Sequence, residues 1–376
     1  MSETDFLIVG AGIAGAGIGY YLAEHAHVTL IDMEDQAGYH TTGRSAAFYA
    51  ETYGGPKLQP LTTASKTFLE TPPSDFAAQP IISQLGAIHI FRDEQRATAH
   101  TAFKAMSSDL PGIKMLGARD VCDKAPYLLP ERIAGGIDDP ECGGLDVAAL
   151  HQGFLKGVKR AGGKLCLGAG FEGAVFGGGF WQVKTHTGEI RAKTIINAAG
   201  AWGDEIAIRA GIAPIGLRPF RRTIVTVPNP AGLPFNRRGP IVMDIDEGFY
   251  FKPEGKGYLV SPADEIPSMP CDAQPELEDI AQAAALFEQA TGTNPQAIDA
   301  KWAGLRTFAP DRAPVIGYAP DHAHFFWNVG QGGYGIQTAP AWSELAASLV
   351  CRTAVPERLL AHNVRAELYN PARFSL

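Results

Sequence analysis

The sequence contains no Cys-x-x-Cys pair. Its five cysteines, Cys122, Cys142, Cys166, Cys271 and Cys351, are odd in number and widely spaced. That argues against a disulfide framework or a zinc site and points to a reducing compartment. Basic blocks are also missing: 32 Lys and Arg face 40 Asp and Glu, a formal charge of −8. Nucleic acid and anionic membrane surfaces need clustered cations, so neither is an expected partner. The N-terminus lacks a basic segment and a small-residue cleavage site, so the expected location is the cytoplasm. Hydrolase chemistry finds no support. Gly43-Arg44-Ser45-Ala46-Ala47 lacks the second glycine of a nucleophile elbow, and the histidines form no triad by spacing. His322-x-His324 reads as a solvated loop pair rather than a metal site.

What is present is a globular composition, 45% apolar and 19% charged over 376 residues. At roughly 150 residues per domain this length predicts two or three domains. Glycine is abundant at 43 residues without a collagen-like period, so functional turns are expected. The uncharged run Phe6 to Ala23 is long enough to suggest a membrane span. Glycines at 10, 12, 15, 17 and 19 interrupt it, and a buried strand, a glycine turn and a helix explain it better.

A second strand, His27 to Asp32, ends on an acid, and Gly38 to Ala47 forms a polar loop. Further on, Ala87 to Phe91 reads as a strand between helices near 62–70 and 93–106. Asp146 caps a helix to Arg160 that carries Val147, Leu150, Phe154 and Val158 at helical spacing. Strands follow near 164–167, 171–176, 180–186 and 190–197. Residues 215 to 262 look antiparallel; a helix near 275–291 and a strand near 298–305 come next. The end repeats the opening, with strand Phe325 to Val329, a glycine turn, and helix Ala339 to Val350. This pattern predicts a discontinuous α/β nucleotide-binding domain interleaved with an antiparallel-sheet domain.

Three stretches match G-x-G-x-x-G, so context decides. Gly10-Ala11-Gly12-Ile13-Ala14-Gly15 follows a strand, opens a helix and precedes Asp32 by 22 residues from Gly10. This is the dinucleotide fingerprint in full. Gly10 makes the turn, Gly12 lets the backbone approach a pyrophosphate, and Gly15 permits close packing. The helix N-terminus faces the phosphates and Asp32 the ribose. Gly168 to Gly173 precedes a strand and is a coincidental match. Gly330-Gln331-Gly332-Gly333-Tyr334-Gly335 precedes a helix but has no ribose-binding acid after it, so neither a second nucleotide nor a flavin monooxygenase is indicated. Its helix could face a group that gains negative charge in turnover.

The fingerprint, Asp32, the loop His40-Thr41-Thr42-Gly43-Arg44-Ser45-Ala46-Ala47, the strand end Asn197-Ala198-Ala199-Gly200-Ala201-Trp202, and Gln331-Gly332-Gly333-Tyr334-Gly335-Ile336-Gln337-Thr338 occur in this order. Together they resemble the D-amino-acid oxidase/glycine oxidase superfamily, and most of all its bacterial D-arginine dehydrogenase branch, over essentially the whole chain. Leu150-His151-Gln152-Gly153 and Trp302-Ala303-Gly304-Leu305-Arg306 add to the likeness. The resemblance implies an α/β fold with an α+β second domain. A Rossmann-like FAD-binding domain (1–50, 145–214 and 303–376) would interleave with an antiparallel-sheet substrate domain (51–144 and 215–302).

It also implies non-covalent FAD, since no cysteine stands near Gly304. Gly10, Gly12, Ala14, Gly15, Asp32 and Met33 would hold the ADP part, with Phe171 at the adenine and Gly200 nearby. Thr41, Thr42, Gly43, Arg44, Ser45, Ala46, Ala47 and Phe48 would line the flavin. Gly332, Gly333, Tyr334, Gly335, Ile336, Gln337 and Thr338 would sit at its pyrimidine end. Arg222 and Arg306 match arginines that clamp a substrate carboxylate, and Tyr53 and Tyr250 match tyrosines that close over the substrate.

Two departures bear on the substrate. The branch's guanidinium-binding glutamate falls in Leu85-Gly86-Ala87, and a histidine beside the flavin is Phe48. A guanidinium without an anionic partner is costly to bury, so neutral, hydrophobic or small D-amino acids are expected. The implied reaction is hydride transfer from Cα to flavin N5, giving an imino acid that hydrolyses to a 2-oxo acid. The amine must be neutral, so the rate is expected to rise with pH. The electron acceptor is quinone-like or oxygen, with the resemblance favouring a dehydrogenase. Three alternatives stay open: a glycine- or sarcosine-type enzyme for secondary amines, a NAD-dependent dehydrogenase, and a flavin-binding protein without turnover.

Overall fold

The computed structural model describes residues 2–374. The uncharged opening run resolves into the strand Ser2–Val9, a turn, and the helix Ile13–Ala23. Among the described residues no helix is long and apolar enough to cross a membrane.

An eight-stranded sheet forms around that first strand. Ser2–Val9 lies parallel between Val28–Ile31 and Gly188–Asn197, and Lys164–Cys166 extends the parallel edge. His322–Val329 pairs in parallel with the end of Gly188–Asn197. The antiparallel hairpin Phe171–Gly177/Phe180–Thr185 joins the start of the same strand. Side-chain alternation sends Ile8, Leu30, Ile196 and Phe326 into one core and Leu7, Val9, Ile31 and Trp327 into another. Both faces are therefore covered, as parallel strands require. The first core is roofed by Ile13–Ala23 packed against Val147–Arg160 and Gly335–Val350. Asp146 caps the middle helix, its Oδ1 accepting the Ala149 N–H at 2.8 Å.

A nine-stranded sheet forms the second layer. Arg218–Pro228 pairs antiparallel with Ala300–Phe308 on one side and Gly257–Ser261 on the other. Tyr250–Glu254 and Ile241–Asp244 continue it. Ile241–Asp244 then pairs in parallel with Ala87–Phe91, so the sheet is mixed rather than wholly antiparallel. Gly135–Asp139 and Lys114–Gly117 complete that edge. One face packs Val225, Val260, Phe251, Val242 and Ile88 against helix Leu277–Thr291, which ends at the left-handed Gly292. The other face turns toward the first sheet.

Two details differ from the sequence reading. The last long helix starts at Gly335, four residues before Ala339, because glycine at a helix start adds nothing to the apolar periodicity. The strand Ala300–Phe308 pairs along its whole length within the second sheet, so the division drawn at 302/303 passes through a strand. Helices Ala118–Lys124 and Gly203–Arg209 are too short to register as a periodicity.

Candidate active site

A cleft of about 460 Å³ runs from the carboxyl ends of the parallel strands to the inner face of the second sheet. Its first wall is the turn after Ser2–Val9. Gly10 has φ +104°, and a Cβ there would lie 2.5 Å from the Ala198 carbonyl oxygen. At Gly15 a Cβ would lie 1.8 Å from the Gly10 oxygen, and at Gly12 it would press on Thr42 Oγ1 at 3.1 Å. Close packing thus forbids a side chain at two of these glycines and crowds the third. Thr42 Oγ1 accepts the Ile13 N–H at 2.9 Å, and Gly12 and Ala14 face the cleft beside it.

Asp32 follows the second strand and reaches back, its Oδ2 accepting the Ala11 N–H at 2.7 Å and its Oδ1 the Glu34 N–H at 3.0 Å. The Ala11 carbonyl in turn accepts from His151 Nε2 at 2.8 Å. Burial pushes the His151 pKa down, which suits a neutral ring with its proton on Nε2. Met33, Phe171 and Gly200 line this end, and the Phe171 carbonyl accepts from Arg209 at 2.9 Å.

The loop after Gly38 forms the middle of the cleft, through Thr41, Thr42, Arg44, Ser45 and Ala46. Thr41 is tied to the Leu305 carbonyl at 2.8 Å. The Arg44 guanidinium turns away from the cleft onto the Ala273 and Ala303 carbonyls and Asp272. Gly15, Gly43, Ala47 and Phe48 are not among the residues that line the cleft. At the far side Gly332, Gly333, Gly335 and Ile336 line the cleft, where helix Gly335–Val350 begins. Tyr334, Gln337 and Thr338 face elsewhere. Gln337 bonds the Ala50 N–H at 3.1 Å and Thr62 at 3.1 Å, and Thr338 back-bonds the Tyr334 carbonyl at 2.8 Å.

The substrate-side residues converge for a reason of register. Arg222 pairs with Gly304, and Arg306 lies two residues further along the same strand. Side chains alternate along strands, so both arginines point from one face as diagonal neighbours. Gly304 between them lets the 41–44 loop pack close, since a Cβ there would meet Arg44 Cβ at 3.3 Å. Arg222 Nε donates to the Asp264 carbonyl at 2.6 Å, and its nearest carboxylate, Glu265 at 3.6 Å, is shared with Arg312. Burial, then the charge of Arg306, pushes the Arg222 pKa down. Arg306 pairs with no carboxylate among the described residues and donates to Tyr53 Oη at 2.9 Å. Burial pulls its pKa down, but the phenols of Tyr53 and Tyr250 outweigh this and leave it raised. Tyr250 lines the cleft, with Phe48 packed on it at 5.7 Å. The result is a pair of cations facing a cleft with little to neutralise them, a built receptor for an anion.

The sequence reading missed several cleft residues, among them His40, Trp202, Glu205 and Arg209. His40 packs on Trp202 at 4.6 Å and bonds Glu34 at 2.9 Å. Trp202 belongs to a stretch already quoted for its glycine, so its neighbourhood was the available signal. Among the described residues no cluster could hold a metal ion, and His322 and His324 pack on Phe176 instead.

His89 was missed as well. It is buried on the cleft-facing side of the second sheet, and burial pushes its pKa down to about 4. The unfolded chain, with an ordinary value near ~6.5, therefore binds this proton first. Its contribution is fully present above pH ~6.5 and lost as the pH falls toward ~4, a loss of about 3 kcal/mol. Urea titrations at pH 7 and pH 4 should show this slope, and His89→Leu should flatten it.

The family model of the FAD dependent oxidoreductases (DAO) matches residues 5–349 of the chain. The chain belongs to this family. FAD is accordingly its cofactor, and the chain is an FAD-dependent oxidoreductase, which decides against the nicotinamide alternative. The chain is 23% identical over 93% of its length to "FAD-dependent oxidoreductase domain-containing protein 1" of Mus musculus, covering 81% of that protein. It is 24% identical to the glycine oxidase of Geobacillus kaustophilus (strain HTA426), over 93% of each chain. The crystal structure of glycine oxidase from Geobacillus kaustophilus superposes with TM-score 0.83 over 94% of this chain and 96% of that one at 20% identity. The L-proline dehydrogenase from P. horikoshii does so with TM-score 0.83 over 99% and 98% at 21% identity. These structural likenesses establish the fold.

The cleft fits the cofactor on its own terms. The glycine turn has no room for side chains, a helix N-terminus and the acid Asp32 stand beside it at the spacing of a dinucleotide site, and the cleft continues to the paired arginines.

Proposed function

We propose that this oxidoreductase oxidises D-amino acids with neutral side chains to imino acids, which water hydrolyses to 2-oxo acids and ammonia. The observation that carries the proposal is the Arg222–Arg306 pair, two guanidiniums on one sheet face without sufficient counter-charge. FAD supplies a two-electron acceptor for the amine-bearing carbon, and no cysteine lines the cleft to form a thioether link to it.

In this reading Arg222 and Arg306 fix the α-carboxylate, which is catalysis mainly by positioning. Tyr53, held by Arg306, and Tyr250 exclude water over the substrate. Gly10, Gly12, Ala14, Asp32, Met33 and Phe171 hold the ADP part, and Thr41, Thr42, Arg44, Ser45 and Ala46 with Gly332, Gly333, Gly335 and Ile336 hold the flavin. Gly15 and Gly43, Ala47 and Phe48, and Tyr334, Gln337 and Thr338 support these walls from behind.

The D configuration rests on the likeness of the motif set to D-arginine dehydrogenases. The neutral side chain rests on this chain's own residues. Ala87 stands on the cleft-facing side of the sheet, and Asp139 opposite it is the nearest acid in register. That carboxylate is already held by Thr52 Oγ1 at 2.9 Å and the Glu141 N–H at 3.2 Å, and burial pushes its pKa up. It is a poor receptor for a buried guanidinium.

A second reading, oxidation of glycine or a secondary amine, draws on the similarity to glycine oxidase and L-proline dehydrogenase over more than nine-tenths of the chain. Anaerobic mixing of the yellow protein with D- and L-amino acids, glycine, sarcosine and proline separates the readings. Bleaching of the visible flavin band by neutral D-amino acids, with a weak response to D-arginine, is the expected result. Bleaching by secondary amines or glycine alone would establish the second reading. No bleaching by any of them would leave a flavin-binding protein. Reoxidation by a soluble quinone rather than by air is the outcome expected of a dehydrogenase.

A further inference from the structure

We infer that Glu265 and Arg312 are a positioning pair for the carboxylate site: Arg312 holds Glu265 just short of Arg222, so the Arg222 guanidinium stays free for a carboxylate in the cleft. The inference rests on the amino-acid reading above and deepens it.

The segment after strand Gly257–Ser261 turns at Ala263, whose φ is +52°. That turn brings Asp264 and Glu265 to Arg222. The Asp264 carboxylate is used inside the fold, where Oδ1 accepts the Thr223 N–H at 2.7 Å and Oδ2 the Thr223 hydroxyl at 3.1 Å. Its carbonyl takes Arg222 Nε at 2.6 Å. Glu265 is then the one carboxylate paired with the Arg222 guanidinium among the described residues, and it stops short. Its Oε1 lies 3.6 Å from Arg222 Nη2, beyond hydrogen-bond length. The same oxygen accepts from Arg312 Nη2 at 2.9 Å, and Oε2 does so at 3.2 Å. One carboxylate thus faces two guanidiniums and is bonded to the outer one.

Arg312 sits in a conformation that its residue type disfavours. Its φ is +61°, in the left-handed region that glycine adopts freely and a residue with a Cβ does not. Glycine would close this turn, between Ala300–Phe308 and Val315–Ala319, without strain. What arginine adds is its side chain. The guanidinium lies over the Phe308 ring at 3.8 Å while it bonds Glu265. Phe308 cannot drift, since it is fully enclosed and a Cβ at Gly332 would lie 2.2 Å from its ring. A free surface ion pair contributes little, but this one has a fixed platform and a fixed partner. Strained residues that persist do so where their surroundings hold them, often beside functional sites.

The electrostatics give the pair its purpose. Arg222 is buried beside Arg306, and both burial and that neighbouring charge disfavour its cation. A carboxylate bonded directly to its Nη groups would relieve this and would also occupy the donors a substrate needs. Held at 3.6 Å, Glu265 supplies counter-charge, and the Nη groups make no hydrogen bond among the described residues. Neither Glu265 nor Arg312 is among the residues that line the cleft, so both act through Arg222. The amino-acid substrate and the 2-oxo acid product carry the same carboxylate, so the pair tunes the hold on both.

The test is calorimetric titration of the oxidised holoenzyme with propionate, which is D-alanine without its amine, and with pyruvate, its 2-oxo acid. The proteins are wild type, Glu265→Gln, Arg312→Gly and the double variant; Arg312→Gly relieves backbone strain, which favours its folding. Glu265→Gln removes the competing charge and should tighten both ligands about fivefold, the scale of a partly exposed charge pair. Arg312→Gly releases Glu265 onto Arg222 and should weaken both by a similar factor. The double variant should bind as Glu265→Gln does, because Arg312 matters only while Glu265 is charged. In anaerobic flavin reduction the KM for D-alanine should follow the same order, with the effect on KM rather than on the limiting rate. Unchanged binding in Glu265→Gln, or a loss in Arg312→Gly that persists in the double variant, would overturn the inference alone. A wild-type protein that binds neither propionate nor pyruvate would overturn the carboxylate-site reading and this inference with it.

Discussion

Arg306→Ala lowers kcat/KM for the amino-acid substrate by about 100- to 1000-fold and leaves the purified protein yellow. The size follows from removing one partner of a buried, charge-assisted pair, which costs about 2–5 kcal/mol. Arg306 is the member to remove, because it has no carboxylate partner among the described residues and its bond to Tyr53 at 2.9 Å leaves most of its donors for a ligand. Arg222, by contrast, is tethered to the Asp264 carbonyl. Arg306→Lys keeps the charge but not the planar fork, and should recover only part of the loss. Gly333→Ala provides a check that leaves Arg306 in the sequence. Its Cβ would lie 2.9 Å from the guanidinium carbon, so the side chain must move, and the same substrates should lose efficiency in a protein that still binds FAD. The measurement is steady-state kcat/KM beside flavin absorbance per protein. Unchanged efficiency in Arg306→Ala would remove Arg306 from the carboxylate site.

Gly15→Ala yields protein that is colourless after purification and destabilised by about 3 kcal/mol, at the upper end of the cost of overpacking. A methyl group here meets the Gly10 carbonyl oxygen at 1.8 Å. Backbone cannot give way as a flexible side chain does, so helix Ile13–Ala23 must shift away from the strand. That shift separates the Ile13 N–H from Thr42 and carries Gly12 and Ala14 off the cleft wall. Gly173→Ala is the matched control. It holds the same last position in a second G-x-G-x-x-G match, yet its Cβ would make only an ordinary contact of 3.5 Å with the Arg209 carbonyl. FAD content and urea midpoint should therefore stay near wild type in Gly173→Ala. Equal flavin content in Gly15→Ala and wild type would contradict the role given to this packing.

The two variants share a sequence pattern and differ in surroundings, which marks where sequence reading works. Around Gly10 to Gly15 every needed signal is local: a buried strand, three glycines, a helix, and an acid at the end of the next strand. The structure places Gly10, Gly12, Ala14 and Asp32 along the same cleft that Gly332, Gly333, Gly335 and Ile336 line from the far side, and the signal of that second turn is local too. The helix there begins earlier than its composition suggested, since glycines at a helix start carry no periodicity of their own. The residues behind the wall, such as Gln337 and Thr338, were named with the same stretch. Helical geometry alone decides which of them face inward.

By itself, the sequence determined the nucleotide-binding unit, the order of its elements, and through its motif set the flavoprotein family. These follow from short-range rules of turn, cap and alternation, which a linear string carries intact. Only the tertiary structure decided that Arg222 and Arg306 share a face, because that depends on the pairing of Arg222 with Gly304 across two distant strands. The same holds for Asp139 standing beside Ala87 and for His89 beside Met243. A one-residue slip in any of these ladders would send those side chains to the opposite face. Register is set by the summed packing of both sheets, and no local segment records it.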